Sequence, residues 1–260
     1  MVEWKTSKAA VWRGKLGVLR AVQNLDPVTM DQLIGVDEQK NSLMRNTEGY
    51  LQGSGANHAL LWGARGSGKS SMIKAILNAY SKDGLRLIEI EKYDLPDLPE
   101  IVDEIREKPF KFIVYCDDLS FDVGERAYKS LKTTLEGSVE LPPENVLVYA
   151  SSNRRHMVPE HMADNQESRI INGELHYSDR VEEQLALADR FGLWLSFYPN
   201  NWEAYYKIVE SLFVGYQGDQ QELLEAARLF AMSRGGSKSG RTAKQFFHGF
   251  YQANQEKFRT

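Results

Sequence analysis

The stretch LLWGARGSGKSSMIKAIL, residues 60–77, decides the fold class of this chain. Its apolar start predicts a buried β-strand, its glycine-rich centre a tight turn, and its end an amphipathic α-helix. The turn GARGSGKS, from Gly63 to Ser70, fits the phosphate-loop pattern. A strand before this pattern and a helix after it are the context that makes it specific. We therefore expect a phosphate-binding site in this turn.

The residues of the turn have separate expected tasks. The glycines let successive backbone N–H groups point inward, and the N-terminus of the following helix adds partial positive charge. Lys69 is expected to contact the β- and γ-phosphates of a nucleotide, and Ser70 to bind Mg²⁺. The expected cofactors are ATP and Mg²⁺. The expected cofactor-binding residues are Gly63, Ala64, Arg65, Gly66, Ser67, Gly68, Lys69, Ser70 and Ser71.

The rest of the chain up to about residue 198 alternates short apolar runs with helical patterns. Strands are predicted at Ala59–Trp62, Arg86–Ile90, Phe112–Cys116, Val146–Ala150 and Leu193–Phe197. Helices are predicted at Ser70–Tyr80, Pro99–Glu107, Glu125–Glu136 and Arg180–Asp189. Strands that alternate with helices are typical of a doubly wound α/β domain, whose ligand lies at the carboxyl ends of the strands.

Polar side chains follow two of the predicted strands. Asp117 and Asp118 come directly after one of them; Asp117 is expected to hold Mg²⁺ through water and Asp118 to polarise the attacking water. Without the phosphate loop, such an acidic pair would more simply cap a helix. Asn153 ends the next strand, where an amide is placed to hydrogen-bond the γ-phosphate or the water, although Ser-Ser-Asn is also ordinary turn chemistry.

Two arginines are candidates for neutralising the charge of a phosphoryl-transfer transition state. Arg190 lies just before the last predicted strand and is placed to project to the nucleotide of a neighbouring subunit. Arg241 starts the last predicted helix and is placed to fold onto its own nucleotide. For either arginine, the alternative is a surface salt bridge. We expect a homo-oligomer that assembles through the Arg190 face.

Both ends of the chain differ from the middle. Residues 199–260 have only helical patterns with aromatic stripes, which predicts a small helical domain. Residues 1–28 combine five cations with two tryptophans, namely Lys5, Lys8, Arg13, Lys15 and Arg20 with Trp4 and Trp12. Such a segment can hold single-stranded nucleic acid by phosphate contacts and stacking. The preferred interpretation, however, is a solvated arm, or a helix that packs its tryptophans onto its own domain or a neighbour.

The composition excludes several classes of protein. The 260 residues carry a formal net charge of only −4, so no global signal points to a nucleic-acid binder. A single cysteine, Cys116, fits a reducing compartment, and neither a spanning apolar run nor a signal-peptide core is found. We therefore expect a cytoplasmic protein without a membrane partner. His156 and His161 lack zinc-site spacing.

Together these motifs resemble those of AAA+ ATPases. GARGSGKS resembles Walker A and FIVYCDD Walker B, while Asn153, Arg190 and Arg241 stand at the sensor-1, arginine-finger and sensor-2 positions. Residues 31–53, DQLIGVDEQKNSLMRNTEGYLQG, resemble the segment that packs against adenine, with Ile34 and Gly35 at its centre.

Blocks such as LIGVDEQK, CDDLSF and SSNRRHMVPE resemble more narrowly a bacterial family of predicted AAA+ ATPases, domain of unknown function 815, over about Asp31 to Tyr251. The resemblance implies a five-stranded parallel sheet in the order 5-1-4-3-2 with a small C-terminal helical lid. We accordingly divide the chain into a basic and aromatic arm at 1–28, a nucleotide-binding domain at 29–198 and a lid at 199–260. The polar stretch at about 154–183 is long for a minimal AAA+ core and is expected to be a surface insertion that contacts substrate or partner.

The leading functional hypothesis is an ATP-hydrolysing module that couples hydrolysis to oligomer and lid rearrangement, and so remodels an unknown protein or nucleic-acid partner. The alternative is a slow ATP-dependent switch or loader that recruits a partner or single-stranded DNA. A third hypothesis is a small-molecule kinase. Most AAA+ Walker B motifs end in Asp-Glu, whereas this one ends in Asp-Asp, so that Asp118 is one methylene shorter and Glu125 is a candidate to assist it.

Overall fold

The fold was analysed in a computed structural model that describes residues 2–119, 125–137, 141–153, 169–171, 174–176 and 189–258. Its strands are β1 (Ala9–Arg13), β2 (Val18–Ala21), β3 (Ala59–Gly63), β4 (Leu85–Ile90), β5 (Lys111–Cys116), β6 (Val146–Ser152), β7 (Arg169–Ile171), β8 (Glu174–His176) and β9 (Leu193–Phe197). Its α-helices are α1 (Asp37–Gln52), α2 (Lys69–Tyr80), α3 (Leu98–Ile105), α4 (Glu125–Glu136), α5 (Trp202–Leu212), α6 (Gln220–Ser233) and α7 (Gly240–Ala253).

The central sheet has seven strands in the order β2-β1-β4-β5-β6-β3-β9. All neighbours pair in parallel except β1 and β2, which form an antiparallel hairpin. The five strands β9-β3-β6-β5-β4 follow the order 5-1-4-3-2 that the resemblance implied. The predicted number of five strands is wrong, because β1 pairs with the edge of β4 and brings β2 with it.

The N-terminal segment is part of the sheet because the apolar residues of β1 reach the clusters on both faces: Ala9 joins one cluster, and Ala10 and Trp12 join the other. Trp12 and Leu19 face each other across the hairpin and join the same buried cluster as the neighbouring strands. Trp4 is 3% exposed and packs edge-on against Phe112, with ring centroids 4.9 Å apart. The Trp12 indole N–H donates to Asp97 Oδ2 at 2.9 Å.

Both tryptophans are therefore unavailable as stacking platforms for bases, and the stacking hypothesis is wrong. The alternative that they pack onto their own domain is correct, but they do so from a hairpin rather than from a helix. The sequence prediction missed the hairpin because charged residues dominate the composition of residues 1–28, whereas the apolar run of β1 is only four residues long.

Two apolar clusters cover the two faces of the sheet, so that β3, β5 and β6 are buried on both sides. This double burial explains their nearly continuous apolar sequences. Each predicted strand is present to within two residues. Helices α2, α3 and α4 were likewise predicted, with α3 ending at Ile105 rather than Glu107.

The three C-terminal helices α5, α6 and α7 enclose a separate apolar cluster. Each is preceded by a polar cap residue whose side chain accepts a hydrogen bond from a backbone N–H of the first turn. These caps are Asn201, Asp219 and Ser239. Phe213 lies at the centre of the cluster, with its ring 5.0–6.0 Å from the rings of five other aromatic residues. The aromatic stripes thus form a core, as their helical spacing predicts.

Part of the predicted polar insertion at 154–183 can be described. β7 and β8 pair as a short antiparallel hairpin. The other residues of the insertion, including His156 and His161, lie outside the described residues, as do residues 180–188 of the predicted helix Arg180–Asp189. Within the part of the chain that is described, no helix is long and apolar enough to cross a membrane, and no cluster of three or more histidine, cysteine or acidic side chains is arranged to hold a metal ion.

His58 generates a prediction about stability at acid pH. Its Nδ1 accepts the backbone N–H of Val148 at 3.0 Å, and burial lowers the pKa of His58 to about 4, although a hydrogen bond with Leu135 opposes this shift. The unfolded chain takes up this proton near pH 6.5, so the stabilising contribution is complete above that pH and is lost as the pH falls toward 4. His58→Asn keeps an acceptor and removes the titration.

We expect wild type to lose about 1–2 kcal/mol more unfolding free energy than His58→Asn between pH 7.5 and pH 5, measured by urea denaturation. His248→Asn, which replaces an exposed histidine on α7, serves as the control and should follow wild type. Parallel pH profiles for wild type and His58→Asn would contradict the assignment.

Candidate functional site

The phosphate loop leaves β3 at Gly63 and enters α2 at Lys69. Gly63 has a φ of 129°, and a Cβ at this position would collide with the carbonyl of Phe197 in β9. The Ala64 N–H donates to this carbonyl at 2.9 Å. Only glycine permits this close approach of the two strands. Steric exclusion of a Cβ therefore explains why the loop pattern has glycine at this position.

The Lys69 ammonium is enclosed by oxygen atoms. It donates to the carbonyls of Gly63 at 2.9 Å and Ala64 at 2.7 Å, and to Asn153 Oδ1 at 3.0 Å. Lys69 is only 5% exposed. Burial lowers the pKa of Lys69, while the negative charges of Asp117 and Asp118 oppose this change. The Lys69 ammonium thus connects the phosphate loop to Asn153 at the end of β6.

Asp117 directly follows β5 and receives several hydrogen bonds. Ser70 Oγ lies 3.1 Å from its Oδ1 and 3.2 Å from its Oδ2. The Tyr115 hydroxyl donates to Oδ1 at 2.8 Å, and the Ser151 hydroxyl donates to the same oxygen. Burial raises the pKa of Asp117, but the hydrogen bonds from Ser151, Tyr115 and Ser70 outweigh burial and hold the pKa below its ordinary value.

Asp118 is held in an uncommon backbone conformation. Among the described residues it is the only one other than glycine with a positive φ, at 52°. Its N–H donates to Ser151 Oγ at 3.1 Å, and its Oδ1 accepts Asn153 Nδ2 at 2.7 Å. Aspartate tolerates this region better than most residues, and such conformations cluster at functional sites. Asn153 therefore bridges Asp118 and Lys69 through the two ends of its amide.

The structure thus brings together the predicted residues of three strand ends. One hydrogen-bonded group lies at the carboxyl ends of these strands, and it consists of Lys69, Ser70, Asp117, Asp118 and Asn153. A hydroxyl and a carboxylate oxygen are ligand types that Mg²⁺ takes, so Ser70 and Asp117 fit such an ion. Glu125 is the first residue of α4, but its side chain lies outside the described residues.

Ile34 and Gly35 line a cleft of about 440 Å³ between the start of α1 and the start of α5. From α5 and its cap, Asn201 and Ala204 complete the opposite wall. A Cβ placed on Gly35 would lie 3.4 Å from the Cβ of Ala204, so the walls are close. The cleft borders the phosphate loop, because Leu33 Cδ2 approaches Gly68.

The two predicted arginines lie on different elements, Arg241 in α7 and Arg190 just before β9. Arg241 is the second residue of α7, whose cap Ser239 lies against Gly66 of the phosphate loop. Arg190 precedes β9 at its amino end, whereas the loop meets the carboxyl end of β9 at Phe197. Four residue steps along β9 correspond to about 13 Å. The structure does not bring Arg190 to the loop of its own chain.

Two residues of this site were not predicted. Tyr115 reads as part of an apolar strand, and Ser151 as turn chemistry. The available signal was period-two alternation, which places Tyr115 on the same side of β5 as Asp117. Burial and the charge of Asp117 both raise the pKa of Tyr115, so its hydroxyl keeps the proton that it donates.

The comparisons with known proteins agree with this architecture. A structure of a RuvB variant from Thermotoga maritima is similar, with a TM-score of 0.61, 14% identity, and coverage of 89% of this chain and 68% of that one. A second Thermotoga maritima RuvB variant gives a TM-score of 0.51 at 12% identity, over 87% of this chain and 73% of that one. At these identities the likeness shows the fold alone. No curated protein matches.

The model of the family described as protein of unknown function (DUF815) matches residues 5–254. The chain therefore belongs to this family, and its fold is similar to that of RuvB.

Proposed function

We propose that the protein binds ATP together with Mg²⁺ and hydrolyses it to ADP and phosphate. The observation that carries this proposal is the single hydrogen-bonded group that joins Lys69 and Ser70 of the loop to Asp117, Asp118 and Asn153. A cation, a metal-binding pair and a second carboxylate held by an amide are the parts that phosphoryl transfer to water requires.

The nucleotide lies along the loop in this proposal. The backbone N–H groups of the loop and the N-terminus of α2 hold the phosphates, together with Lys69. The cleft beside Ile34 and Gly35 holds adenine, because it borders Gly68 and has room for a planar base. Ser70 and Asp117 hold the metal. A bound Mg²⁺ would supply positive charge against the negative charge that develops on the phosphate oxygens.

Asp118 orients the attacking water in this proposal. Its backbone N–H and its carboxylate are both fixed, by Ser151 and Asn153 respectively, so the carboxylate is preorganised. Asn153 also contacts Lys69, so the same amide is placed to respond to the γ-phosphate. Because Asp118 is one methylene shorter than the glutamate usual in AAA+ proteins, we expect slow hydrolysis.

A homo-oligomer completes the site in this proposal. Arg190 lies at the amino edge of the sheet, remote from the loop of its own chain, and therefore stabilises transition-state charge only if it reaches a neighbouring subunit. Arg241 acts within its own chain, since α7 begins against Gly66. Helices α5, α6 and α7 form the lid, whose movement couples hydrolysis to an unknown protein or nucleic-acid partner.

A second candidate is a nucleotide-dependent switch that recruits a polyanionic partner. The observation that favours it is five exposed cations in and beside the N-terminal hairpin, none with an ion-pair partner in the described part of the chain: Lys5, Lys8, Arg13, Lys15 and Arg20. With Trp4 and Trp12 buried, such a surface contacts phosphates without stacking. ATP-dependent binding to DNA that weakens steeply with salt would favour this candidate over a protein-remodelling motor.

The first test concerns phosphate binding. Lys69→Ala removes the buried ammonium and is expected to weaken ATP binding beyond detection, measured by isothermal titration calorimetry. Lys74→Ala on the same helix is the matched control, because Lys74 is exposed and pairs with Asp26. Equal affinities for the two variants would exclude the loop as the phosphate site.

The second test distinguishes action within one subunit from action between subunits. Asp118→Asn is expected to bind ATP without hydrolysis, and Arg190→Ala to bind ATP with at least about tenfold lower turnover. A mixture of these two variants should regain ATPase activity. An Asp118→Asn subunit still has Arg190, which can act on the nucleotide of a neighbouring Arg190→Ala subunit, where Asp118 is intact. Arg241→Ala mixed with Asp118→Asn should not regain activity. If the mixture with Arg241→Ala regains activity and the mixture with Arg190→Ala does not, Arg241 acts between subunits and Arg190 within one subunit.

The third test concerns the contact between loop and lid. Gly66 and Gly53 have the same φ of 72°, but a Cβ on Gly66 would lie 2.7 Å from Ser239 Cβ, whereas nothing lies within 4 Å at Gly53. Both alanine variants carry a backbone strain of about 1 kcal/mol. Only Gly66→Ala should also displace α7 and weaken ATP binding, on the order of tenfold, or about 1.4 kcal/mol.

Ser239→Gly removes the colliding atom and costs little as a helix cap. Added to Gly66→Ala, it should restore most of the lost affinity. If Gly66→Ala binds ATP as tightly as Gly53→Ala does, the loop and the lid are not coupled through this contact.

A further inference from the structure

The two oxygens of the Asp117 carboxylate have unequal surroundings. Oδ1 accepts from the hydroxyls of Ser70, Tyr115 and Ser151 and from the backbone N–H of Asp118. Oδ2 accepts only from Ser70, at 3.2 Å, among the residues that the structure describes. One oxygen is therefore saturated with donors, while the other has acceptor capacity to spare.

The two unpredicted donors belong to rigid, buried strands. Tyr115 is 5% exposed near the end of β5, and Ser151 is 1% exposed in β6. Cys116 pairs with Ala150 in the parallel register, so the next residue of each strand, Asp117 and Ser151, meet side by side. Tyr115 points to the same side as Asp117, because side chains alternate along a strand.

Ser70 differs from these donors because it has a second task. In the proposed function its hydroxyl binds the metal, so it is not a permanent partner of Asp117. Tyr115 and Ser151 have no such task and lie behind the carboxylate. Without them, only the backbone N–H of Asp118 and the Ser70 hydroxyl would hold Oδ1, so the orientation of the carboxylate would be less tightly fixed.

We propose that Tyr115 and Ser151 are positioning residues of the metal site: they hold Oδ1 of Asp117 from behind and so present Oδ2 to the water shell of the metal bound with ATP. This inference rests on the proposed function and adds the residues that set its metal dependence. Donors behind a metal-binding side chain fix its orientation, and losing one typically costs 10–100-fold in metal affinity.

The experiment measures binding rather than turnover. The affinity for a fluorescent ATP analogue is determined in excess Mg²⁺ and again in excess EDTA, and the ratio of the two affinities reports the metal site alone. Tyr115→Phe and Ser151→Ala each remove one donor and leave the phosphate loop intact. We expect each to lower the ratio on the order of tenfold, with the EDTA affinity unchanged.

Tyr149→Phe is the matched control. Tyr149 is the register partner of Tyr115 and is equally buried, but its hydroxyl contacts Thr47 and Asn46 of α1. Its loss should leave the ratio as in wild type, and thermal unfolding verifies that each variant is folded. Ser151→Ala carries the test if Tyr115→Phe does not fold.

The outcomes separate the two proposals. If wild type binds the analogue more tightly in Mg²⁺ than in EDTA, and Tyr115→Phe and Ser151→Ala both keep the wild-type ratio of the two affinities, the positioning role is overturned. The proposed function then still stands. Equal loss of the ratio in Tyr149→Phe also overturns it, because the effect would then follow from any buried hydroxyl. Wild type that binds no nucleotide, or binds it equally in Mg²⁺ and EDTA, overturns the proposed function and the positioning role together.

Discussion

The buried ammonium of Lys69 is the interaction on which the rest of the site depends. A cation that is 5% exposed is costly unless oxygens replace its lost water, and here the oxygens come from the loop backbone and from Asn153. The loop must curl to offer its carbonyls, and β6 must end beside it. One charge therefore ties the loop and the start of α2 to the residue that follows β6.

The strand order explains how the second half of the site is reached. β6 lies between β3 and β5, so Asp117 meets Ser70 across the end of β6 rather than from a neighbouring strand. Ser151 is located at that point and bonds both to the carboxylate and to the backbone of Asp118. Asn153, two residues later, bonds to the carboxylate of Asp118. The end of β6 thus organises both acids. A hydrophobic residue in place of Ser151 would remove one hydroxyl donor from the Asp117 carboxylate and one acceptor from the backbone N–H of Asp118.

How much of this was predictable follows from the kind of signal each part leaves in the sequence. The loop, the two acids and Asn153 were predictable because polar residues at the ends of apolar runs stand out, and parallel strands bring those ends together. Tyr115 was not, since a tyrosine inside an apolar run is read as core, and its hydroxyl matters only once Asp117 is known to lie beside it. The N-terminal hairpin was missed for the opposite reason: the five cations are the strongest signal in the segment, whereas the pairing of Trp12 with Leu19 joins residues of two short strands and leaves little pattern in the sequence.

In the proposed function, the position of Arg190 connects the fold to assembly. In a parallel sheet the residues that follow the strands and those that precede them lie on opposite edges, about 13 Å apart for a strand as short as β9. A side chain at the amino ends of the strands cannot contact the loop at their carboxyl ends in the same chain. It can contact the loop of a second copy whose carboxyl ends face it. The proposed site then divides into a part fixed within one chain by Lys69 and Asn153, and a part supplied by contact between chains. In that division, hydrolysis depends on assembly while nucleotide binding does not, because the groups that hold the phosphates are all fixed by the fold of one chain.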